Sequence, residues 1–171
     1  MPDETKTLLV TERFRVEQVT RTAADGQRIG KSVVRHPGAV AVIPMVDLDH
    51  VCLIRNFRIA VGQTLIELPA GTLEAGETPQ QTAARELIEE TGYRAARWSA
   101  LHAFYVSPGV MDEKIQLFVA EELSPVPAAR QPGEEIENLV VPWEEAMQMV
   151  RDGRIHDAKT LVGLLLYDRR R

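Results

Sequence analysis

The feature that most constrains the fold is a helix predicted over residues 79–91, because the sequence specifies both of its ends. Thr78 is placed to cap the first turn, Pro79 suits the first helical position, and Gln81 occupies the position that a capping box requires. Gly92 follows the last turn, where helices commonly end in a left-handed residue. This segment is therefore predicted to be one helix with a loop on either side.

Three glutamates project from this helix. Glu86 and Glu90 are four residues apart, and Glu86 and Glu89 are three apart, so their carboxylates occupy neighbouring positions on one face. Like charges at this spacing cost roughly a few tenths of a kcal/mol per pair. The face is either a solvated acidic surface or a binding site for a hard cation such as Mg²⁺, which prefers oxygen ligands.

Short strands and two further helices are predicted in the rest of the chain. Polar strands at 8–10, 14–20 and 28–34 predict a small antiparallel sheet. Two apolar runs, at 39–46 and 51–56, predict a hairpin. The remaining strands are predicted at 64–68, 100–106, 114–120 and 136–141, and the remaining helices at 143–151 and 157–167.

Charge and composition limit the class of partner. The formal net charge of −5 argues against nonspecific nucleic-acid binding, which needs a basic surface. An acidic site can still bind a phosphate-bearing small molecule if divalent cations lie between the two. No apolar run has the length of a signal peptide or a membrane span, which predicts a cytoplasmic protein with no membrane partner. The single cysteine, Cys52, lies in an apolar run and is expected to pack rather than react.

The spacing around the three glutamates resembles the box of the Nudix hydrolases. That box has Gly, five residues, Glu, seven residues, Arg-Glu, an aliphatic residue, any residue, Glu-Glu, any residue, Gly and an aliphatic residue. Its seven specified glycine and polar positions are matched by Gly71, Glu77, Arg85, Glu86, Glu89, Glu90 and Gly92. Only Tyr93 departs, at an aliphatic position that packs rather than reacts.

The resemblance implies both a fold and a chemistry. The fold is an α/β (α+β) Nudix fold, with a mixed sheet between helices and a small N-terminal antiparallel sheet. The reaction is hydrolysis of a diphosphate with Mg²⁺ as the cofactor and Mn²⁺ as the alternative. The expected metal ligands are Glu86, Glu89, Glu90 and the Ala70 carbonyl. Arg85 is expected to orient these carboxylates and serve catalysis together with Glu89, while Glu77 braces the loop.

Features outside the box resemble the ADP-ribose pyrophosphatase subgroup. Pro108 lies sixteen residues after Gly92, and residues 35–40, 55–58 and 67–71 also look like that subgroup. GDP-mannose hydrolases share much of this pattern. The resemblance therefore implies ADP-ribose, hydrolysed to AMP and ribose 5-phosphate, with GDP-mannose or another nucleotide sugar as the alternative.

Six residues are candidates for binding this substrate. An arginine such as Arg58 matches phosphate geometry, and Glu67, between two apolar residues, requires a partner. Arg55 is equally compatible with a solvated strand position, and Glu113 with a loop position. The full set is Arg58, Glu67, Arg55, Pro108, Gly109 and Glu113.

A loop after the box supplies a base or a further metal ligand in this branch of the family. Glu134 and Glu135 have the matching location, and either a charged exposed loop or a catalytic role fits them. Glu134 is the favoured residue, both as a base and as a metal ligand.

The subgroup also implies a homodimer, in which residues 1–36 exchange between protomers and residues 37–171 form the Nudix domain. Phe14 either stacks on the base of the substrate or packs within the small sheet. The rival function of another class is a non-catalytic module that senses a nucleotide sugar. The intact glutamates argue against that rival, since binding alone does not require clustered carboxylates.

Overall fold

The computed structural model describes residues 3–130 and 135–171. The strands are β1 (Glu4–Val10), β2 (Arg15–Thr22), β3 (Arg28–Arg35), β4 (Ala39–Pro44), β5 (His50–Arg58), β6 (Gln63–Glu67), β7 (Ala70–Thr72), β8 (Tyr93–Tyr105), β9 (Lys114–Pro125) and β10 (Ile136–Pro142). The helices are α1 (Pro79–Glu86), which a π-helical turn (Leu87–Thr91) extends, α2 (Trp143–Arg151) and α3 (Ala158–Asp168). In the described ranges, none is long and apolar enough to cross a membrane.

The first of two compact units consists of the described residues up to Gly38 together with Phe104–Lys114. Its sheet has the order β1-β2-β3 and is antiparallel throughout, which confirms the predicted N-terminal sheet. Gly26 supplies the left-handed residue of the turn between β2 and β3, with φ of 84°. The backbone of Val34 in β3 forms hydrogen bonds with the backbone of Phe104–Lys114. The sequence gives no sign that this segment joins the unit.

The second unit, Ala39–Ala103 with Ile115–Arg171, contains two sheets. A four-stranded sheet has the order β7-β4-β9-β8, with β4 parallel to β9 and antiparallel to β7. A three-stranded antiparallel sheet has the order β10-β5-β6. The four-stranded sheet is the mixed sheet that the resemblance implies.

Helices cover both faces of this mixed sheet. One face packs against α1 in a cluster formed by Val40, Val42, Ala83, Leu87, Phe118 and Ala120. Side chains alternate along a strand, so Ile43 and Leu117 point to the other face, where they contact α3 at Gly163. The expected sheet between helices is therefore confirmed.

The predicted hairpin of residues 39–46 with 51–56 is confirmed at its turn and wrong beyond it. An antiparallel bridge joins Met45 to Val51, and the Val46 N–H donates to the His50 carbonyl at 2.9 Å. The two runs, which form β4 and β5, then separate into different sheets. Each strand is largely buried and has a neighbour on both sides in its own sheet. Near-continuous apolar runs are typical of such central strands rather than of a solvated hairpin.

Candidate active site

Helix α1 begins as the sequence predicts. Thr78 Oγ1 accepts a hydrogen bond from the Gln81 N–H at 3.3 Å, and the Gln81 side-chain oxygen accepts one from the Thr78 N–H at 2.8 Å. Ala83 and Leu87 are buried against the mixed sheet, which fixes the rotation of the helix. Its acidic side chains are thereby turned toward β7.

The last turn of the helix differs from the prediction of a regular helix over residues 79–91. Leu87–Thr91 is a π-helical turn, which is wider than an α-helical one. Thr91 Oγ1 donates to the Leu87 carbonyl at 2.5 Å, and Gly92 ends the turn with φ of 70°. The wider turn changes the angle between successive side chains, so Glu89 and Glu90 leave the positions of an ideal α-helix. Such turns are frequent at functional sites.

Arg85 lies at the centre of the acidic group. Its guanidinium donates to both carboxylate oxygens of Glu77, at 3.0 and 3.1 Å. Its Nη1 donates to Glu86 at 2.6 Å and to Glu89 at 3.2 Å. The hydrogen bonds to Glu77 and then Glu86 raise the pKa of Arg85 against the effect of burial. Hydrogen bonds from Arg85 and then Thr82 hold the pKa of Glu77 below its ordinary value. Arg85 therefore ties the loop before the helix to two of its glutamates.

Glu86 and Glu90 meet the backbone of β7 at adjacent residues. The Ala70 N–H donates to Glu90 Oε2 at 2.9 Å. A Cβ atom placed on Gly71 would lie 1.9 Å from Glu86 Oε1, so the Glu86 carboxylate occupies the space where any other residue would have its side chain. The structure therefore brings two of the expected metal ligands together at Ala70 and Gly71, although they are distant in sequence from this strand.

The donor set fits a hard divalent cation. Glu86, Glu89 and Glu90 offer only carboxylate oxygens, and Mg²⁺ favours such ligands with waters and phosphate oxygens completing the shell. Within residues 3–130 and 135–171, no three acidic, histidine or cysteine side chains already stand in a ligating arrangement. Glu86 and Glu89 instead accept hydrogen bonds from the same Nη1 atom of Arg85.

Glu67 is the second focus of the site. Its side chain is fully buried and accepts two hydrogen bonds from Arg58, at 2.8 and 2.7 Å, and one from Lys159. Burial alone raises the pKa of Glu67, but the bonds from Arg58 and the nearby Lys159 outweigh it and hold the pKa below its ordinary value. The partner that the sequence requires for Glu67 is thus a bidentate arginine together with a lysine.

Lys159 belongs to a cluster at the start of α3 that sequence reasoning missed. Thr160 Oγ1 accepts from the Leu68 N–H at 2.8 Å and donates to Asp157 at 2.5 Å, and Lys159 also contacts Asp157 at 3.0 Å. These contacts join α3 to the chain just before Ala70. The only sequence signal was the placement of Glu67 between apolar residues. It predicted that a partner lies nearby but did not identify the residue.

Glu67→Gln is expected to destabilise the protein by about 3 kcal/mol, because it leaves two cations beside a neutral buried amide; half-exposure of Arg58 keeps the loss at the low end of the usual range. Since the folded pKa of Glu67 lies below the unfolded one, its contribution is present above about pH 4.5 and is lost as the pH falls through the folded pKa. Urea unfolding at pH 7 and at lower pH measures both effects. A loss under about 1 kcal/mol at pH 7 would contradict this assignment.

The exposed Glu137→Gln is the matched control for this experiment. Glu137 lies on β10 of the same sheet and is 3.8 Å from Arg55 on β5, with both side chains in solvent. An exposed pair of this kind contributes about 0–1 kcal/mol. We therefore expect its unfolding midpoint to stay at the wild-type value.

The other candidates for substrate binding lie in different surroundings. Arg55 is exposed on β5, where its contact is the cross-strand one with Glu137. Pro108 and Gly109 lie in a turn of the first unit, in which the Val110 N–H donates to the Ser107 carbonyl at 2.9 Å. Their roles in substrate binding stay predictions.

Two further candidates, Glu113 and Phe14, belong to the first unit. Glu113 is mostly buried and lies 3.6 Å from His36 Nδ1. Phe14 is 39% exposed and lines a cavity of about 460 Å³ that is also bordered by Arg35 and His36. This aromatic ring is therefore accessible rather than packed into the sheet.

The structure describes one of the two candidate glutamates that follow the box, Glu134 and Glu135. Glu134 lies outside the described residues. Glu135 is exposed and directly precedes β10. The proposed choice between base and metal ligand stays a prediction for both.

The fold and the carboxylate site together define a family of proteins. The family model described as NUDIX domain matches residues 35–162, and the chain belongs to this family. Nudix hydrolases generally use a divalent metal such as Mg²⁺.

Two named proteins and one solved structure are similar to this chain. The chain is 42% identical to the ADP-ribose pyrophosphatase of Bacillus subtilis (strain 168), over 80% of this chain and 75% of that one. It is 38% identical to the GDP-mannose pyrophosphatase of Cronobacter sakazakii, over 82% of this chain and 80% of that one. A crystal structure described as an ADP compounds hydrolase superposes with a TM-score of 0.87, covering 99% of this chain and 92% of that one at 24% identity. That structure supports the fold.

Proposed function

We propose that this protein is a Mg²⁺-dependent hydrolase of nucleoside diphosphate sugars that converts ADP-ribose to AMP and ribose 5-phosphate. The observation that carries the proposal is the convergence of Glu86 and Glu90 at the backbone of Ala70 and Gly71. Resemblance to the ADP-ribose pyrophosphatase of Bacillus subtilis supports the choice of substrate. A cytoplasmic location is part of the proposal.

The residues of the chain have separate tasks in this reaction. Glu86, Glu89 and Glu90 would hold the cation, which would supply charge neutralisation of the diphosphate and activation of an attacking water. Arg85 orients two of these carboxylates through its Nη1 atom. Arg58, partly exposed and fixed by Glu67, offers a positioned cation for a phosphate. Binding alone would not require this cluster of like charges, which is the argument against a sensing module.

A substrate panel tests the proposal. Purified protein is incubated with ADP-ribose, GDP-mannose and related compounds, each with MgCl₂ and with EDTA, and the nucleoside monophosphate is quantified. The expected result is release of AMP from ADP-ribose that depends on Mg²⁺, with the highest kcat/KM in the panel. Failure to release a monophosphate from every compound would refute the enzyme and favour the sensing module.

The second candidate substrate is GDP-mannose. The 38% identity to a GDP-mannose pyrophosphatase favours it, and the carboxylate machinery does not distinguish the two nucleotides. A kcat/KM higher for GDP-mannose than for ADP-ribose would replace the first proposal with this one.

The proposal includes a homodimer formed through the N-terminal sheet. Every residue of β1 is exposed, and Leu8, Leu9 and Val10 are 52%, 52% and 70% exposed. Apolar side chains along a strand at the edge of a sheet favour pairing with another chain. We expect a dimer in light scattering coupled to size exclusion and a monomer for the double variant Leu8→Glu and Leu9→Glu. A wild-type monomer at micromolar concentration would refute this part.

A further inference from the structure

The segment that follows β9 crosses the C-terminal end of the helix that carries Glu86, Glu89 and Glu90. The Val126 N–H donates to the Gly92 carbonyl at 2.8 Å. A Cβ atom on Gly92 would lie 2.9 Å from the Val126 carbonyl oxygen, so the two backbones approach as closely as a glycine allows. The segment is therefore seated directly on the end of the helix that carries the glutamates.

Two side chains bond to the neighbouring carbonyls of the same helix end. Arg130 Nε donates to the Glu90 carbonyl at 3.2 Å, and Asn138 Nδ2 donates to the Thr91 carbonyl at 2.7 Å. Arg130 Nη2 also donates to Asn138 Oδ1 at 3.1 Å. Arg130 and Asn138, which we call the clasp, thus bond to each other and to two successive residues of the helix.

The clasp satisfies groups that a helix leaves without partners. The last carbonyls of a helix have no intrahelical donor, and a cation near them interacts favourably with the helix dipole. One of the two carbonyls belongs to Glu90, whose carboxylate accepts from Ala70 on the other side of the site. The backbone of Glu90 is therefore held by the clasp while its side chain is held by β7.

We propose that Arg130 and Asn138 are positioning residues for the hydrolysis, which makes this inference dependent on the proposed function. Both side chains hold the end of the helix at the carbonyls of Glu90 and Thr91. The clasp therefore fixes the position of the Glu90 backbone, while the Ala70 N–H holds the Glu90 carboxylate beside β7.

The variants Arg130→Met and Asn138→Leu test this role. Each is expected to lower kcat for ADP-ribose by about 10- to 100-fold, as loss of groups that orient metal ligands does, while KM changes by less than about 3-fold. The double variant should be little worse than either single variant, because the two residues act as one unit. Arg130→Lys, which keeps a cation at the helix end, should recover part of the activity. The acidic limb of the kcat pH profile should also shift in the two single variants.

Arg97→Met is the matched control. Arg97 is an exposed arginine of the same unit that pairs with Glu121 and Glu122, both at 3.2 Å. Its kcat and pH profile are expected to equal those of the wild type. All assays are run well below the melting temperature of each variant, so that a loss of folded protein is not counted as a loss of kcat.

The outcomes separate the two proposals. If the wild-type protein is active and Arg130→Met and Asn138→Leu both keep kcat within about two-fold, with an unchanged pH profile, the clasp proposal is overturned and the proposed function stands. If the wild-type protein hydrolyses none of the compounds, the proposed function is refuted and the positioning role falls with it.

Discussion

Glu86→Gln is expected to lower kcat by about 100-fold or more while the protein remains folded. Metal ions contribute several kcal/mol to such reactions, and about 1.4 kcal/mol corresponds to a factor of ten in rate. Gln keeps the shape of Glu86 and an oxygen that can accept from Arg85, but it removes the negative charge that would bind the cation. Glu90→Gln should show a comparable loss, because it removes the other carboxylate that meets the backbone of β7.

The measurement is kcat for ADP-ribose as a function of Mg²⁺ concentration, with circular dichroism to confirm folding. Glu74→Gln is the matched control, since Glu74 also approaches Arg85, at 3.7 Å, but has a largely exposed side chain. It should retain wild-type turnover. Near-normal turnover with unchanged Mg²⁺ dependence in both Glu86→Gln and Glu90→Gln would show that these glutamates are not the metal ligands.

Gly71→Ala is expected to remove most of the activity without unfolding the protein. The added methyl group would lie 1.9 Å from Glu86 Oε1, so the carboxylate has to leave its position. The obstacle is the Glu86 side chain from Cγ to Oε1 and not backbone, so it can move to another rotamer. Gly71 does not have a positive φ, so the backbone itself can accept alanine. We expect a fall in kcat of about 100-fold, as for loss of the Glu86 carboxylate itself, and a change in stability of about 1 kcal/mol or less.

Gly30→Ala is the control for this experiment, because its methyl group would also crowd the end of a flexible side chain, that of Gln18 in the first unit. Thermal unfolding and kcat are measured for both variants. Loss of kcat confined to Gly71→Ala supports displacement of Glu86. An active Gly71→Ala protein would mean that Glu86 works equally well from another position, and it would remove the main support for the site described here.

Local sequence signals predicted the parts of the site that depend on short-range contacts. The capping box of Thr78 and Gln81, the αL glycine at Gly92 and the spacing of the glutamates are all set within one helix and its ends. The same local signals predicted the turn between the two apolar runs that form β4 and β5, but not that these strands lie in different sheets. A buried run gives no information about which neighbours it will have, because many pairings bury it equally well.

Long-range partners could not be predicted in this way. Lys159 reaches Glu67 across 92 positions, and Arg130 reaches the Glu90 carbonyl across 40. A lysine at the start of an amphipathic helix and an arginine in a loop rich in proline and alanine are common features of solvated surfaces. Only the folded chain shows that they end at a buried carboxylate and at the end of a helix.

The hydrogen bond from the Leu68 N–H to Thr160 has a consequence for the order of events during synthesis. Chains fold as they emerge, beginning with the N-terminal part. The segment that leads into β7 is made early, yet its buried partner on α3 is made 92 residues later. Until then, Glu67 has Arg58 but lacks Lys159, and the Leu68 N–H lacks the hydroxyl that accepts from it. The nascent protein therefore completes these contacts only when α3 has left the ribosome.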